Sequence, residues 1–322
     1  MITAWIVGRS GLLGSAVARR AASRPGWRVA ESPLLPWSGS ADEVAQAARV
    51  GARQLRERAG DGEWAVIWAA GAAVTSSDDA ETAQELERFT AALDAILDEL
   101  RPASDRGMVF LASSAGGLYA GSVGAPFTEE SEPVPLAPYG RLKLAMEERL
   151  RAASAAAGTA SLAGRIANLY GPGQRLDKLQ GLISHLARAR LTPSPASVFV
   201  PLDTIRDYLY VDDAGDLVLD GLERLSRERG QVTKILASGE ATTIAALLGH
   251  LRLISKARPR VILGTSASAR HQALDLRLRS VVWPELDRSR ATSLPAGIDR
   301  TIHDIEQRLL AGDQRGASSS SR

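Results

Sequence analysis

The sequence predicts an α/β fold, with a doubly wound parallel sheet followed by a smaller C-terminal cap. Three observations predict it. Short apolar segments alternate with longer helical patterns through the first half of the chain. A glycine-rich turn, GRSGLLG, joins the first apolar segment to the first helical pattern. After Gly164 the alternation gives way to stretches rich in glycine and proline. Because strand–helix alternation requires right-handed crossovers, we expect helices on both faces of the sheet.

The individual elements follow from apolar periodicity and from the turn residues between them. The expected strands are Ile2–Val7, Trp27–Glu31, Ala65–Ala70 and Met108–Ala112. The expected helices are Leu12–Ser23, Ala41–Ala59, Ala80–Leu100 and Pro138–Ala157. Pro102 ends the third of these helices. Farther along, SLAGRIANLYGPGQ is interpreted as a strand that enters a loop, and RDYLYVDDAGDLVLDGLERL as a strand followed by a helix.

These elements divide the chain into a sheet domain and a cap. The sheet domain is expected to comprise residues 1–165 and 206–237, and the cap residues 166–205 and 238–311. Pro193, Pro195 and Pro201 mark irregular chain within the cap. The polar tail, residues 312–322, is expected to be disordered.

Composition narrows the possible functions. The chain has 322 residues, 45% hydrophobic and 24% charged, which is ordinary for a globular protein. A net charge of +2 gives no indication of nucleic-acid binding. The absence of cysteine excludes disulfides, thiolate nucleophiles and zinc–thiolate sites and suits the cytoplasm. None of the four histidines has metal-ligand spacing to another, so no metal is expected. We expect no targeting segment, and the longest apolar run, Trp64–Val74, is too short to span a membrane.

Gly8, Gly11 and Gly14 lie between the first strand and the first helix, and their spacing is typical of a dinucleotide-binding loop. A helix N-terminus attracts an anion, and the missing side chains let the backbone approach a pyrophosphate. Leu12 and Leu13 begin this helix. The alternative, a plain tight turn, is less favoured because the motif occupies the first strand–helix turn of an α/β chain.

The sequence leaves the choice between NAD and NADP open. An acidic residue at the end of the second strand normally binds the adenosine ribose. Glu31 is the only acidic candidate here, and Ser32 or Pro33 can occupy the position instead. Arg9, inside the glycine loop, has the charge to meet a 2′-phosphate. The equal alternative is a solvated loop arginine.

Two further segments carry groups suited to chemistry. VFLASSAGGLYAG ends a strand with Ser113 and Ser114, at the sheet edge where such folds bind ligands. The alternative is a serine-rich turn. In APYGRLKLAMEE, Tyr139 and Lys143 are four residues apart and therefore share a helical face. Taken alone, this pair is best interpreted as an ordinary helix surface.

Together these motifs resemble the extended short-chain dehydrogenase/reductase family, which contains NAD(P)-dependent sugar-nucleotide epimerases and dehydratases with a Rossmann-type sheet domain. The ordered set comprises the GxxGxxG loop, a serine before GLYAG, the YxxxK pair, NLYGPGQ and RDYLYVDD. It extends from Ile2 to about Leu225, and beyond it only SLPAGIDRTIHDI resembles the family's closing helix. Because five motifs in one order are far more specific than any one of them, Tyr139 and Lys143 are interpreted as catalytic.

The resemblance implies roles for these residues. Tyr139 is the acid/base that acts on a sugar hydroxyl, and Ser114 or Ser113 binds the same substrate oxygen. Lys143 favours the phenolate and holds the nicotinamide ribose. A free phenol titrates near ~10, and a neighbouring ammonium favours its deprotonation. The implied cofactor-binding residues are Gly8, Arg9, Gly11, Leu12, Leu13, Gly14, Ala69, Ala70, Gly71 and Lys143.

Two residues are implied to bind substrate. Arg206, which opens RDYLYVDD, is expected to contact the nucleotide diphosphate, since a guanidinium suits that ligand. The alternative is an ion pair with Asp207 or Asp212. Asn168, in NLYGPG, resembles a substrate-contacting asparagine at the entrance to the cap, and the alternative is a residue that organises the turn.

Among the reactions of the family, the sequence favours an epimerase. Dehydratases place an acidic pair after the active-site hydroxyl, and SSAGGLY contains neither Asp nor Glu. Reductases that also invert neighbouring carbons use a cysteine, which this chain lacks. The expected reaction is oxidation of a nucleotide sugar to a keto-sugar and re-reduction at one carbon. The alternatives are an NADPH-dependent reductase of a keto-sugar or another small molecule, and a non-catalytic dinucleotide-binding regulator.

The resemblance also implies the partners. Leu179–Leu191 resembles the helix that precedes the sugar-nucleotide site in family members, which favours a nucleotide sugar as substrate. Helices Ala80–Leu100 and Pro138–Ala157 correspond to the pair that forms a four-helix dimer interface in many members, and their exposed alanines and leucines permit close packing. A homodimer is therefore expected, with no nucleic-acid or membrane partner.

Overall fold

The structure is a computed structural model, which describes residues 1–176, 181–255, 260–264, 273–288 and 292–319. Within these ranges the strands are β1 (Ile2–Val7), β2 (Trp27–Val29), β3 (Glu63–Trp68), β4 (Gly107–Ser114), β5 (Ala160–Ile166), β6 (Asn168–Tyr170), β7 (Ala196–Val198), β8 (Ile205–Arg206), β9 (Tyr208–Tyr210), β10 (Gln231–Leu236), β11 (Thr242–Thr243) and β12 (Val261–Leu263). The helices are α1 (Leu12–Ala22), α2 (Ala41–Ala59), α3 (Asp79–Leu100), α4 (Ala115–Leu118), α5 (Pro138–Ala157), α6 (Leu182–Leu191), α7 (Val211–Glu228), α8 (Ile244–Ser255) and α9 (Leu294–Ser319).

Six strands form one parallel sheet in the order β2-β1-β3-β4-β5-β10. The chain moves outward from β1 to β2 and then crosses back to β3 on the other side of β1. The strand order therefore reverses between β1 and β3, and sheets of this kind bind ligands outside the carboxyl ends of the strands at that point. The predicted doubly wound α/β fold is confirmed.

The sixth strand, β10, was not among the expected strands. Its sequence QVTKIL places a lysine among the apolar residues. Lys234 is fully buried, and its Nζ donates to Ser280 Oγ at 2.9 Å and to Val282 O at 2.7 Å and pairs with Asp287 at 2.9 Å. The charge of Lys234 is neutralised by residues far along the chain, so the strand can contain a buried lysine. Because this lysine interrupts the apolar run, the sequence pattern does not predict β10.

Three strands have bounds that differ from the sequence prediction, and one of them, β4, spans Gly107–Ser114 rather than Met108–Ala112. β2 ends at Val29 rather than Glu31, because this edge strand pairs only with β1 and Pro33 and Pro36 follow without an N–H to donate. β3 spans Glu63–Trp68 rather than Ala65–Ala70. The last two residues of the predicted strand therefore lie in the loop at the carboxyl end of the sheet.

The helices begin where their capping residues stand. Ser40 and Glu43 form a capping box at the start of α2, and Asp78 and Glu81 form one at the start of α3. Pro138 occupies the first turn of α5, where a missing N–H costs nothing. α2 and α5 match their predicted bounds, and α3 begins one residue earlier than predicted.

Three apolar clusters build the core. One packs α1 and α7 against one face of the sheet, and the second packs α2, α3 and α5 against the other. The third joins α6, α8 and α9 to β6, β7 and β9. α9 continues to Ser319 and so runs through most of residues 312–322, for which composition predicts disorder. None of the described helices is long and apolar enough to cross a membrane.

Asp207 ties the connection between β8 and β9 to the segment after β10. Its carboxylate accepts hydrogen bonds from the Ser238 N–H at 2.9 Å, the Ser238 hydroxyl at 3.1 Å and the Gly239 N–H at 2.8 Å. The residue is only 1% exposed. Burial raises the pKa of Asp207 to about 6, even though these three hydrogen bonds favour the charged form.

Replacing Asp207 with asparagine should change how stability depends on pH. Because the folded state raises the pKa of Asp207 from 3.8 to about 6, its contribution to stability is fully present below the ordinary value and is lost as the pH rises through 6. We expect the free energy of unfolding of the wild type, relative to Asp207→Asn, to fall by up to about 3 kcal/mol between about pH 4 and pH 7. Urea unfolding across this pH range measures the difference.

Asp203 provides the control for this experiment, because it is an exposed aspartate close to Asp207 in sequence. Asp203→Asn should leave the slope of stability against pH close to that of the wild type. A wild-type advantage over Asp207→Asn that stays constant or grows with pH would contradict the assignment.

Candidate active site

Gly8 and Gly14, between β1 and the first turn of α1, lie too close to other backbone atoms to carry side chains. Gly8 has a φ of +86°, and a Cβ there would lie 2.6 Å from the backbone nitrogen of Ala70. A Cβ on Gly14 would lie 2.2 Å from the carbonyl oxygen of Gly8, and one on Gly11 would lie 3.2 Å from the same oxygen. These contacts hold the first turn of α1 against the residues that follow β3.

The packing leaves the N-terminus of α1 open to an anion. Gly11 is the N-cap, no side chain caps the helix, and the first turn contains no acidic residue. The backbone N–H groups of this turn therefore keep their hydrogen-bonding capacity, and the helix dipole adds positive potential. Leu12 is half-buried and Leu13 is buried. The arrangement fits the pyrophosphate of a dinucleotide.

The loop after β3 lies beside the glycine-rich loop. Ala69 N–H donates to Val7 O at 2.9 Å, which continues the pairing of β3 with β1 by one residue. Ala70 is buried and Gly71 is exposed. The structure thus brings the residues predicted from the first and third strands together at the switch point.

The residues expected near the adenosine ribose lie at the same edge of the sheet. Arg9 and Glu31 are both exposed. Ser32 is half-buried, and its Oγ is enclosed without a hydrogen-bond partner among the described residues. This edge therefore offers a carboxylate suited to a ribose hydroxyl and an arginine suited to a 2′-phosphate.

The structure gives the two serines at the end of β4 different surroundings. Ser113 is buried and donates its hydroxyl proton to Glu147 Oε1 at 2.5 Å. Ser114 is half-buried and caps α4, where its Oγ accepts the N–H of Gly117 at 3.1 Å. Successive side chains of a strand point to opposite faces, so the two hydroxyls cannot serve the same ligand equally. Among the described contacts Ser114 only accepts, which leaves its proton for a substrate oxygen.

Tyr139 and Lys143 share a face at the start of α5. Lys143 Nζ lies 5.7 Å from the centroid of the Tyr139 ring. The ring packs against the turn that Ser114 caps, since a Cβ on Gly117 would lie 3.1 Å from ring atoms. Tyr139 is half-buried, whereas the Lys143 side chain is only 7% exposed. The predicted serine, tyrosine and lysine therefore meet at one end of the sheet.

Lys143 has a partner that no motif indicated. Glu85 Oε1, from α3, lies 3.8 Å from Lys143 Nζ, and the Glu85 side chain is 8% exposed. Glu85 Oε2 accepts the backbone N–H groups of Ala72 at 2.8 Å and Ala73 at 2.7 Å. One carboxylate therefore contacts both the lysine and the loop after β3.

A second buried acid fixes α5 to the sheet. Glu147 accepts hydrogen bonds from Arg165 Nη2 at 2.8 Å and Nε at 3.1 Å, in addition to the bond from Ser113. Arg165 Nη1 donates to the Tyr119 hydroxyl at 2.7 Å, and this hydroxyl donates to Thr128 O at 2.8 Å. Burial lowers the pKa of Arg165, but its bonds to Glu147 outweigh this effect and raise the pKa. Burial raises the pKa of Tyr119, so this tyrosine is a structural proton donor.

Asn168 and Arg206 are the two predicted substrate residues, and they lie at the start of β6 and the end of β8. Asn168 is exposed, and its Nδ2 donates to the backbone carbonyl of Asp207 at 2.9 Å, a bond that organises the turn. Arg206 is buried, and its Nη1 donates to Ile205 O at 2.9 Å and Ala273 O at 2.8 Å. Burial lowers the pKa of Arg206. The carboxylates weighed as its ion-pair partners bind elsewhere: Asp207 bonds to the segment after β10, and Asp212 pairs with Arg19 at 2.8 Å.

No group of three or more His, Cys, Asp or Glu side chains converges on a point in the described part of the chain. The residues that sequence reasoning missed are Glu85, Glu147 and Arg165. Glu85 and Glu147 did leave a signal, because each occupies a position in the buried stripe of its helix. A carboxylate at an apolar position indicates a buried partner, although the sequence does not name that partner.

Comparison with known proteins agrees with this geometry. The model of the NAD dependent epimerase/dehydratase family matches residues 4–235. The chain is 29% identical over 201 residues to dTDP-4-dehydro-6-deoxyglucose reductase of Escherichia coli, an alignment that covers 61% of each chain. It is 29% identical over 156 residues to UDP-glucose 4-epimerase of Azospirillum brasilense, covering 44% of this chain and 45% of that one. The matches thus span less than two thirds of the length of these relatives.

Solved structures share the fold over nearly the whole chain. The Thermus thermophilus UDP-glucose 4-epimerase in complex with NAD superimposes with a TM-score of 0.76 at 20% identity, covering 95% of this chain and 99% of that one. The range that the family model matches contains the glycine loop, both serines, Tyr139 and Lys143. The chain therefore belongs to the NAD-dependent epimerase/dehydratase family.

Proposed function

We propose that this protein is an NAD(P)-dependent epimerase that oxidises a nucleotide sugar and reduces it again at the same carbon. The observation that carries the proposal is that Tyr139 packs against Lys143 and the turn capped by Ser114, while Lys143 lies beside the loop that contacts the glycine-rich loop. Names of relatives support it, since they include a UDP-glucose 4-epimerase and a dTDP-L-rhamnose 4-epimerase.

Each group has a defined task in this reaction. Tyr139 removes the proton from the sugar hydroxyl as general base, and Ser114 donates a hydrogen bond to the same oxygen. Lys143, 5.7 Å from the Tyr139 ring centroid, favours the phenolate through its positive charge. When bound, the dinucleotide supplies the hydride acceptor for the oxidation and the hydride donor for the return. Tyr139 then returns the proton to the oxygen, so the chain ends the cycle unchanged.

The buried acids near the site argue against elimination. A dehydratase needs a free acid and base beside the reacting carbons. Glu85 is bound to two backbone N–H groups, and Glu147 is bound to Arg165 and Ser113. Both carboxylates are therefore committed to holding the protein together, which leaves Tyr139 as the acid/base.

The substrate and its reaction are tested together. Purified protein is incubated with UDP- and dTDP-linked sugars in D2O with no added cofactor, and the products are identified by NMR. We expect inversion at one carbon without deuterium at that carbon, because the hydride leaves and returns without exchanging with solvent. Product that forms only with stoichiometric NADPH would establish a reductase. Dinucleotide binding without turnover on any sugar would establish a non-catalytic regulator.

Replacing Tyr139 with phenylalanine should separate binding from chemistry. The ring and its packing against the Gly117 turn remain, so we expect dinucleotide affinity to change little. Turnover should fall by about 10²- to 10⁴-fold, since the general acid/base is lost. Epimer formation and calorimetric binding measure the two effects. Tyr170→Phe is the control, because the buried Tyr170 hydroxyl has no hydrogen-bond partner among the described residues. Near-normal turnover of Tyr139→Phe would rule this residue out as the acid/base.

We also propose that the protein forms a homodimer through α3 and α5. These helices pack side by side and are linked by the ion pairs Arg141–Asp79 and Arg149–Asp94. The last turns of α5 expose three small residues, Ala152, Ala155 and Ala156. Small side chains let a second helix pair approach closely.

Light scattering after size exclusion tests this assembly. We expect twice the chain mass of 34.2 kDa for the wild type and a single-chain mass for Ala155→Arg, whose side chain would separate the helices. Ala22→Arg, at an exposed alanine at the end of α1, is the control and should remain dimeric. A wild type that elutes at the mass of one chain would show that the protein is not a dimer.

A further inference from the structure

Glu85 is a buried acid at a position of α3 that faces the apolar core. The buried stripe of α3 runs through Thr82, Glu85, Phe89 and Leu93, so Glu85 occupies a place that an apolar residue would normally fill. A carboxylate at such a position is retained at a cost in desolvation, which its contacts must offset.

The two oxygens of this carboxylate face different parts of the site. Oε2 accepts the N–H groups of Ala72 and Ala73 and so fixes the loop after β3. Oε1 is buried and accepts no hydrogen bond among the described residues. It lies 3.8 Å from Lys143 Nζ, which makes this lysine its charge partner.

Gly71 permits this arrangement. A Cβ on Gly71 would lie 3.0 Å from Glu85 Oε1 and 3.4 Å from Lys143 Nζ. The loop backbone therefore passes directly over the carboxylate and the ammonium. The loop after β3, helix α3 and helix α5 therefore meet at the Glu85–Lys143 pair.

The other ionisable groups near the pair are engaged elsewhere. Along α5, Tyr139 lies one turn before Lys143, and Glu147, one turn after it, is bound to Arg165. Along α3, Glu81 belongs to the capping box of Asp78, and Arg88 donates to Gly39 O at 3.1 Å. Glu85 is therefore the carboxylate that balances the charge of Lys143.

We propose that Glu85 is a positioning residue for the reaction: its carboxylate holds the Lys143 ammonium in place and ties this lysine to the loop that follows β3. The inference rests on the proposed function in one respect, since Lys143 matters only if it supports Tyr139.

Glu85→Gln tests the charge while keeping an acceptor oxygen for the loop. The lysines of the chain are Lys143, Lys178, Lys234 and Lys256, so protein labelled with 13C at lysine Cε gives a simple spectrum, in which Lys143→Arg assigns the signal. At one fixed pH, we expect the Lys143 signal to change its chemical shift in Glu85→Gln, because the carboxylate that contacts the ammonium is replaced by an amide. This measurement needs neither substrate nor turnover.

Glu87→Gln is the matched control, because Glu87 lies on the same helix but is exposed. It should leave the Lys143 signal unchanged. A Lys143 chemical shift that is the same in Glu85→Gln and Glu87→Gln would overturn the proposal and leave Glu85 with a merely structural role.

Kinetics provide the second readout. In Glu85→Gln we expect kcat to fall by about ten- to a hundredfold, because the lysine is no longer held in place. Dinucleotide affinity, measured by calorimetry, should change little, because the amide oxygen still accepts from Ala72 or Ala73. In Glu85→Ala both kcat and dinucleotide affinity should fall, as the loop loses its anchor. A wild type inactive on every nucleotide sugar would overturn the proposed function, whereas the chemical shift of Lys143 would still decide the role of Glu85.

Thermal unfolding covers the case in which Glu85→Gln does not fold. Lys143→Met leaves the carboxylate buried without its cation, so its unfolding temperature should fall below that of the wild type. The double variant Lys143→Met/Glu85→Gln should recover part of the loss. A double variant that unfolds at the same temperature as Lys143→Met, or at a lower one, would overturn the pairing.

Discussion

The buried ion pair between Glu147 and Arg165 is the interaction on which the catalytic geometry depends. Their side chains are only 1% and 6% exposed, and Ser113 and Tyr119 supply the remaining hydrogen bonds. A buried pair is retained without large loss only when its polar atoms are satisfied in this way. The pair joins α5 to β4 and β5 and so fixes the helix against the sheet. Because Tyr139 and Lys143 lie on the same face of α5, two turns and one turn before Glu147 respectively, their positions follow from this anchor.

A second charged contact links the same helix to the cofactor side of the sheet. Glu85 contacts Lys143 and the loop after β3, whose neighbour is the glycine-rich loop. The carboxyl ends of β3 and β4 thus contact α5 through polar side chains as well as through apolar packing. Rigid placement of this kind suits a reaction in which an intermediate must stay bound while hydride leaves and returns. It also explains why two acids can lie close to the site without acting as acid or base.

Most of the fold could be predicted from the sequence because strand–helix alternation and a glycine turn depend on local patterns. The three glycines, the serines and the YxxxK pair also lie where the motifs indicated. Lys234 concealed β10, since its partners come from another part of the chain. Ser113 and Ser114 could not be distinguished, because the face of a strand is decided by its register in the sheet. Glu85 and Glu147 required the tertiary structure, which alone brings them to Lys143 and Arg165.

The dinucleotide that the purified protein carries distinguishes an epimerase from a reductase. The protein is purified with no added cofactor and denatured, and the released small molecules are identified and quantified by mass spectrometry. An epimerase cycle consumes no cofactor, so the cofactor can stay bound from one cycle to the next. We therefore expect NAD at close to one molecule per chain. A protein that is empty as purified and then binds NADPH more tightly than NADH would contradict the closed cycle and indicate a reductase.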